Sequence, residues 1–376
     1  MKTTKSNTEM MKKLLLPILS ILCLMGCKHS EPRDGKEYMA YESTVYQKEA
    51  PEQYDLDGSD FKYVVSDSIP VKNLLIVDSL MLVDTGRDQG ILEILSTDDF
   101  SSKGSFLSKG NASGEFLMGI NLGLYTTISK RADGTHATLF DFLKSKAYDL
   151  NLTECLKTGK AAPVDITRET ELPRPAFWVK QLADSSLYVR TLSDNQTVQK
   201  RMFVRNGQVE PAASMAFAEQ FAVPEKEDFN LLSTLIGVSP DGSRCVEALM
   251  GMNYINVYSP LDGEGFTICC GKDLDRLSDV LALPKDNRKY MFADIRTYDF
   301  GFAVLKFDTT DGVYRANGDY LPSVMVFDWD GKALGEIRTG QKFSRFDMDV
   351  DRHKLYVLDE EEKLRQYDLP AGLVAD

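Results

Sequence analysis

The chain has 376 residues, with 44 Lys and Arg against 57 Asp and Glu and a formal net charge of −13 at pH 7. This acidic balance argues against nucleic-acid binding, because binding to phosphates draws its strength from clustered Lys and Arg. The 16 Tyr and 19 Phe, together with many Val, Leu and Ile, favour pleated strands over helices.

The N-terminus has the pattern of an export signal. Met11-Lys12-Lys13 is followed by an apolar run that is too short to span roughly 30 Å of hydrocarbon. The run ends in Leu24-Met25-Gly26-Cys27, which resembles the lipoprotein box of bacteria. The resemblance implies that residues 1–26 are a signal peptide and that Cys27 carries the lipid of an exported outer-membrane lipoprotein, facing the periplasm or the exterior. The alternative is an ordinary secretory signal with an incidental cysteine.

Residues 27–54 are polar and contain no sustained apolar period. Such a composition is typical of a linker between an anchor and a domain. We therefore expect this segment to hold the lipidated cysteine and a flexible tether.

One short strand pattern recurs six times in the rest of the chain. It is an alternating apolar run, often closed by Asp, and the starts of the six copies are 58, 49, 58, 58 and 52 residues apart. Four short antiparallel strands with Gly and Asp turns make one propeller blade. The spacing therefore predicts an all-β, six-bladed β-propeller with four strands per blade over residues 55–376. The copies begin at Leu80, Thr138, Leu187, Cys245, Ala303 and Leu355.

Two connections between the runs have the composition of propeller turns. Ser239-Pro240-Asp241-Gly242 places Pro at the second turn position and Gly where a positive φ is needed. Lys109-Gly110-Asn111-Ala112-Ser113-Gly114-Glu115-Phe116 is a glycine-rich passage between two blades. With the blade period and the lipoprotein box, these turns resemble the TolB-like six-bladed β-propeller lipoproteins of Gram-negative bacteria. That resemblance implies a fold and an envelope location, and it leaves the activity open.

The last blade contains only three runs, Phe346–Val350, Leu355–Asp359 and Leu364–Leu369. Three strands leave an unpaired edge. The isolated run Phe61–Val65 has no hairpin partner of its own. We therefore predict that this N-terminal strand completes the sixth blade and closes the ring.

The loops that follow the second strands should gather at one rim of the channel. Mixed carboxylates and guanidiniums there could bind a cation or a sugar-like ligand, because hard cations take several oxygen ligands. The alternative is that an Asp at the end of a strand bonds the main chain of its own turn. The candidate ligand-binding residues of this rim are Asp84, Arg87, Asp141, Arg190, Asp308 and Asp359.

Other features give little support to catalysis or metal binding. The chain has no His-Glu-x-x-His, Gly-x-Ser-x-Gly or Cys-x-x-Cys motif, so we assign no catalytic residue and no metal ligand. His136 and His353 precede second strands at the opposite rim, and we expect both to be turn residues. The acidic stretch 55–60 is similar to a calcium loop, but its twelfth position is Ser66, which cannot supply the bidentate carboxylate.

The cysteines after Cys27 are predicted to be buried free thiols. An oxidising periplasm permits disulfides. However, Cys245 and the Cys269-Cys270 pair fall on the second and fourth strands of one blade, which places them about two 4.8 Å strand spacings apart and too far for a bridge.

Together these features predict a lipid-anchored propeller that acts as a binding or scaffolding module of the cell envelope. Its expected partners are the membrane, through Cys27, and an envelope protein or a glycan, but no nucleic acid. The rival function is that of a metal-dependent lactonase or esterase with a cation, for example Ca²⁺, in the central channel. The function of a propeller lies in its loops rather than in its fold, so the repeat does not select the ligand.

Overall fold

The structure is a computed structural model that describes residues 33–47, 52–56, 61–65, 68–168 and 170–374. The predicted signal peptide, Cys27 and residues 57–60 of the acidic stretch lie outside the described residues. The described chain forms six sheets, each built on four strands that pair in an antiparallel manner. The predicted six-bladed, all-β propeller is confirmed.

Three short strands precede the first blade, and each joins a sheet that is formed by the second half of the chain. We call the described residues between 33 and 65 the strap. Its strands are β1 (Thr44–Tyr46), β2 (Gln53–Asp55) and β3 (Lys62–Tyr63).

The next twelve strands form the first three blades, in chain order. Blade one contains β4 (Asn73–Val77), β5 (Leu80–Asp84), β6 (Gln89–Ser96) and β7 (Ser102–Ser108). Blade two contains β8 (Thr126–Arg131), β9 (Gly134–Asp141), β10 (Lys146–Asn151) and β11 (Val164–Asp165). Blade three contains β12 (Trp178–Gln181), β13 (Leu187–Leu192), β14 (Gln199–Arg205) and β15 (Gln208–Pro211).

The last eleven strands form the other three blades. Blade four contains β16 (Thr234–Val238), β17 (Cys245–Leu249), β18 (Tyr254–Tyr258) and β19 (Gly265–Cys269). Blade five contains β20 (Lys289–Tyr298), β21 (Gly301–Thr310), β22 (Ser323–Asp328) and β23 (Ala333–Arg338). Blade six contains β24 (Phe343–Asp349), β25 (Lys354–Asp359) and β26 (Leu364–Asp368).

The six repeated runs of the sequence form the second strands of the six blades: β5, β9, β13, β17, β21 and β25. β13 and β17 are buried over their whole length, because both faces of a blade pack against neighbouring blades. One apolar cluster, for example, joins Leu82 and Leu92 of blade one to Leu139 and Tyr148 of blade two. First strands of neighbouring blades contact one another, for example β4 and β24 or β16 and β20. The first strands therefore surround the axis of the ring.

The strap closes the ring as predicted. β3 pairs with β26 in an antiparallel register, with Lys62 opposite Gln366 and Tyr63 opposite Arg365. This strand supplies the fourth strand of blade six. The first and last parts of the propeller are therefore held in one sheet.

The strap also contains structure where a flexible tether was expected. β1 pairs in parallel with β19 at the outer edge of blade four, and β2 pairs in parallel with β23 at the outer edge of blade five. Ahead of β1, the Met39 N–H donates to the Tyr254 hydroxyl at 3.2 Å, and the Tyr41 N–H donates to the Thr267 hydroxyl at 2.7 Å. Parallel pairing of three-residue strands needs no hairpin turn, so the sequence contains no signal for it.

The helices are short and lie in the connections between strands. The α-helices are α1 (Leu152–Thr158), α2 (Leu277–Ala282) and α3 (Asp311–Arg315), and the 3₁₀ helices are Ala213–Gln220, Phe229–Leu232 and Lys285–Asn287. In the part of the chain that the structure describes, no helix has the length and apolar character needed to cross a membrane.

Candidate functional site

The centre of the ring is occupied by charged side chains. Arg296 of β20 donates from Nη2 to the main-chain oxygen of Leu74 in β4 at 3.2 Å, and from Nη1 to Asp294 of its own strand. Blade six separates blades five and one, so the contact with Leu74 spans the inner edge of blade six. We call Lys180, Asp294, Arg296 and Asp347 the axial plug; all four are almost completely buried.

Side chains of the axial plug form hydrogen bonds with main-chain groups at the free inner edges of the sheets. The innermost strand of a blade has main-chain groups without a neighbouring strand, and a buried group of this kind needs a partner. The Ile76 N–H donates to Asp347 Oδ2 at 2.7 Å, and Lys180 Nζ donates to the main-chain oxygen of Thr126 at 2.9 Å. Burial raises the pKa of Asp347 to about 6 and lowers the pKa of Lys180 to about 7.

Most of the polar groups in the plug are therefore bound to the protein itself. Within the described ranges, Asp294 Oδ2 and Arg296 Nε are buried without a hydrogen-bond partner. In the same part of the chain, no three His, Cys, Asp or Glu side chains are grouped so that they could hold a metal ion.

A cavity of about 410 Å³ lies at the rim where the second strands end. Its walls come from blade one, blade two, the connection between them, and the first strand of blade six. Pockets of this size, with apolar walls and a few fixed polar groups, are typical of small-molecule sites. The lining residues that bear on its chemistry are Asp84, Asp141, Asn121, Arg345, Met118 and Phe142.

Asp84 and Asp141 both bind the main chain of the connection between blades one and two. Asp84 is the last residue of β5 and accepts hydrogen bonds from Gly86 N–H at 2.9 Å and Ile120 N–H at 3.1 Å. Asp141 is the last residue of β9 and accepts from Leu117 N–H at 2.8 Å and Lys144 N–H at 3.0 Å. Both carboxylates are buried, and burial raises the pKa of Asp84.

One wall of the cavity is apolar and aromatic. The rings of Tyr125 and Phe142 are stacked, with centroids 6.5 Å apart and planes inclined by 13°. Met118 is 58% exposed and Leu143 is 54% exposed, although both are large apolar side chains. Exposed apolar groups beside a concave polar surface are the usual lining of a binding site.

The basic groups of the cavity come from outside the second strands. Lys72 Nζ is bound to the carboxylate of Glu362. Arg345 of β24 donates from Nη1 to its neighbour's main-chain oxygen, that of Ser344, at 2.6 Å. The Nε atom of Arg345 is buried and has no hydrogen-bond partner among the described residues.

The cavity brings together two of the six rim residues predicted from sequence, Asp84 and Asp141. Asp359 also ends its strand, but it accepts from Glu361 and Lys363 N–H and from Arg365 Nε, all within 2.9 Å. Arg87 is exposed and donates to the main-chain oxygen of Ser68. These two residues lie on the same rim, outside the cavity lining.

Arg190 and Asp308 lie within their strands rather than in the loops that follow. β13 continues to Leu192 and β21 to Thr310, two residues beyond each side chain. Arg190 is buried against the Phe177 ring, with its guanidinium carbon 5.3 Å from the centroid, and burial lowers its pKa to about 10. The predicted rim is therefore only partly assembled by the structure.

The two histidines belong to the opposite rim, where the sequence placed them. His136 is the third residue of β9, and its ring lies between Asp149 at 2.9 Å and Asp133 at 3.1 Å. His353 is in the turn before β25, with a positive φ of 51°. Cys245 and Cys269 lie on β17 and β19, with β18 between them, and they are not bridged.

Sequence reasoning missed the lining residues that lie outside the repeat. Met118 and Asn121 belong to a connection without a strand, and Arg345 is in a first strand. The glycine-rich passage that ends at Phe116 marks the start of that connection. The run Phe140-Asp141-Phe142-Leu143 continues apolar past the end of its strand, and it was the available signal for an exposed apolar wall.

No protein-family model matches this chain, and no curated protein matches it. Among solved structures, a member of the DUF4221 family from Bacteroides vulgatus is 13% identical, with a TM-score of 0.49 over 89% of this chain and 98% of that chain. A Bacteroides fragilis protein provisionally named as exported is 10% identical, with a TM-score of 0.46 over 84% and 88%. The calcium-binding protein regucalcin from Agrobacterium tumefaciens is 12% identical, with a TM-score of 0.41 over 85% and 95%. At these low sequence identities, the comparisons identify no ligand for this chain.

Proposed function

We propose that this protein is an exported lipoprotein, anchored to the outer membrane through Cys27, that works as a binding module of the cell envelope. Its ligand occupies the cavity between blades one, two and six. The observation that carries the proposal is the lining of this cavity: exposed Met118 and Leu143 face the buried carboxylates of Asp84 and Asp141. For the alternative, a metal-dependent hydrolase with a cation such as Ca²⁺ in the channel, no group of three potential His, Cys, Asp or Glu ligands is present among the described residues.

Binding, rather than turnover, is supported by what holds the polar groups of the cavity. Each carboxylate accepts two main-chain N–H groups, so its position is fixed before a ligand arrives. Preorganised groups bind well because little conformational entropy is lost on binding. A general base, by contrast, needs a partner whose proton it can take, and no Ser, Thr or Cys side chain is among the cavity-lining residues.

The envelope location is supported by the sequence Leu24-Met25-Gly26-Cys27. Changing Cys27→Ser should abolish incorporation of labelled palmitate and shift the protein from the membrane fraction to the soluble envelope fraction. Palmitate labelling of the variant, or an unchanged membrane association, would contradict the anchor.

The binding role is tested by screening a fragment library that contains neutral, cationic and anionic compounds, with saturation-transfer NMR as the readout. Leu143→Trp should fill the cavity entrance and weaken the hits at least about tenfold, which corresponds to roughly 1.4 kcal/mol. Leu261→Trp is the matched control, because Leu261 is 46% exposed in the turn after β18, at the opposite rim. The proposal would be overturned if Leu143→Trp left the affinity of the hits unchanged, or if the screen gave no hits.

A further inference from the structure

The two carboxylates of the cavity form no ion pair with a basic side chain of the described residues. At 4 Å or less, no Lys, Arg or His nitrogen of the described residues approaches Asp84 or Asp141, whereas Arg365 Nε lies 2.8 Å from Asp359 at the corresponding position of blade six. The charge of Lys109 lowers the pKa of Asp84 against the larger effect of burial, but the Lys109 ammonium group donates to the Gly86 main-chain oxygen. Buried carboxylates without a paired cation are costly, so a cationic ligand would gain from both of them.

The aromatic wall suits the same charge. The stacked rings of Tyr125 and Phe142 stand beside Asp141 in the lining. The face of an aromatic ring attracts a cation through its quadrupole, and more strongly where water is excluded. The carboxylates and the aromatic rings that line one cavity therefore both favour an ammonium group.

The basic side chains of the lining do not cancel this preference. Lys72 is neutralised by Glu362. Arg345 makes no ion pair to a carboxylate among the described residues, and its Nε has no partner. A single guanidinium beside two unpaired carboxylates leaves the site with an excess of negative charge, and this guanidinium is the candidate donor to an acceptor oxygen of the ligand.

We propose that the cavity binds an organic ammonium ion whose body also carries acceptor oxygen atoms. The ammonium group lies between Asp84, Asp141 and the aromatic wall, the apolar side of the ligand contacts Met118 and Leu143, and an oxygen of the ligand accepts from Arg345. This assignment rests on the proposed function, because it names the ligand class of the same cavity.

Two matched pairs of probes test the charge without changing the shape: cyclohexylamine against cyclohexanol, and glucosamine against glucose. The reporter is the ¹³C-labelled methyl group of Met118, assigned with Met118→Leu. We expect each amine to bind at least about tenfold more tightly than its alcohol, and glucosamine to exceed cyclohexylamine because it also supplies oxygen atoms. Equal binding within either pair would overturn the ammonium assignment and would leave the cavity as a binding site.

Asp141→Asn should reduce the preference for the amine to less than about threefold. Asp328→Asn is its control, because Asp328 also accepts the N–H groups of its own turn, Asp330 at 3.0 Å and Lys332 at 2.8 Å, but lies outside the cavity lining. If both variants lost the preference for the amine equally, the total charge of the chain would explain that preference. This result would overturn the assignment. The Met118 signal could stay unchanged with all four probes while the fragment screen yields a neutral ligand that Leu143→Trp weakens. This pair of results would refute the ammonium class alone. An unchanged Met118 signal together with a fragment screen without hits would refute the proposed function as well.

Discussion

Arg296 in the first strand of blade five donates past the inner edge of blade six to the main-chain oxygen of Leu74 in blade one, at 3.2 Å. The same guanidinium lies 3.7 Å from Asp347 of blade six. Three blades therefore meet through one buried side chain. The centre of this ring is occupied by buried polar side chains, and the cavity lined by Asp84 and Asp141 is at the rim.

The first prediction concerns the space that Arg296 requires. A Cβ atom at Gly123 would clash with the Arg296 guanidinium, whereas a Cβ at Gly251 meets only a main-chain oxygen at 3.6 Å. Gly123→Ala should therefore lower the free energy of unfolding by about 1–3 kcal/mol, the usual cost of overpacking. Gly251→Ala is the control and should stay within about 0.5 kcal/mol of the wild type. Urea unfolding of the three proteins measures the difference, and equal stabilities would refute a tightly packed axis.

The second prediction concerns the pH dependence of Asp347. Burial raises its folded-state pKa from an ordinary 3.8 to about 6, so the native state binds this proton more tightly than the unfolded state. Its contribution to stability is fully present below the unfolded pKa and is lost as the pH rises through 6. Asp347→Asn cannot take up the proton.

The measurement is the free energy of unfolding of the wild type minus that of Asp347→Asn, at several pH values. This difference should fall by about 1 kcal/mol between pH 5 and pH 7.5. Any fixed cost of the substitution, such as a lost bond to Ile76 N–H, cancels in the pH dependence. A flat or rising difference would mean that Asp347 is not held in this environment.

The third prediction separates the roles of the strap. Removing residues up to 56 deletes β1 and β2, which only extend blades four and five, so unfolding should remain cooperative with a lower midpoint. Removing residues up to 65 also deletes β3 and leaves β26 of blade six as an unpaired edge. We expect the longer deletion to abolish cooperative unfolding, as followed by circular dichroism and Trp fluorescence. A single sharp transition in the longer deletion would contradict closure by β3.

The fourth prediction concerns the buried ion pair between blades three and four. Arg201 Nη2 lies 2.6 Å from Glu247 Oε1, and both side chains are about 1% exposed. Glu247→Leu should cost about 3–5 kcal/mol, because it leaves the Arg201 charge buried without its partner. The double variant Arg201→Met with Glu247→Leu should be more stable than Glu247→Leu alone. Additive losses in a double-mutant cycle would contradict direct coupling of the pair.

The sequence predicted the ring because its second strands are buried on both faces. Runs such as Leu187–Leu192 are buried along their whole length and are therefore mostly apolar, and six of them at a similar spacing reveal the blades. β3 was predicted because blade six needed a fourth strand. β1 and β2 extend sheets that were already complete, so no missing partner indicated them.

The candidate site was predicted only in part, for a geometric reason. Asp84 and Asp141 occupy equivalent ends of second strands, so the repeat placed them on one rim. Arg190 and Asp308 look equivalent in sequence, but their strands run two residues further. Arg345 reaches the cavity from another blade, and a contact of this kind depends on the closed ring rather than on a local pattern.

The most direct test is to locate a bound ligand through the NMR signals of methionine methyl groups. Met118 lines the cavity and is exposed, whereas Met348 is 2% exposed beside Asp347 of the axial plug. A titration of ¹³C-methionine-labelled protein with glucosamine should shift the Met118 methyl signal and leave that of Met348 unchanged. A shift of Met348 with Met118 unchanged would place the ligand at the axis and contradict a site at the rim.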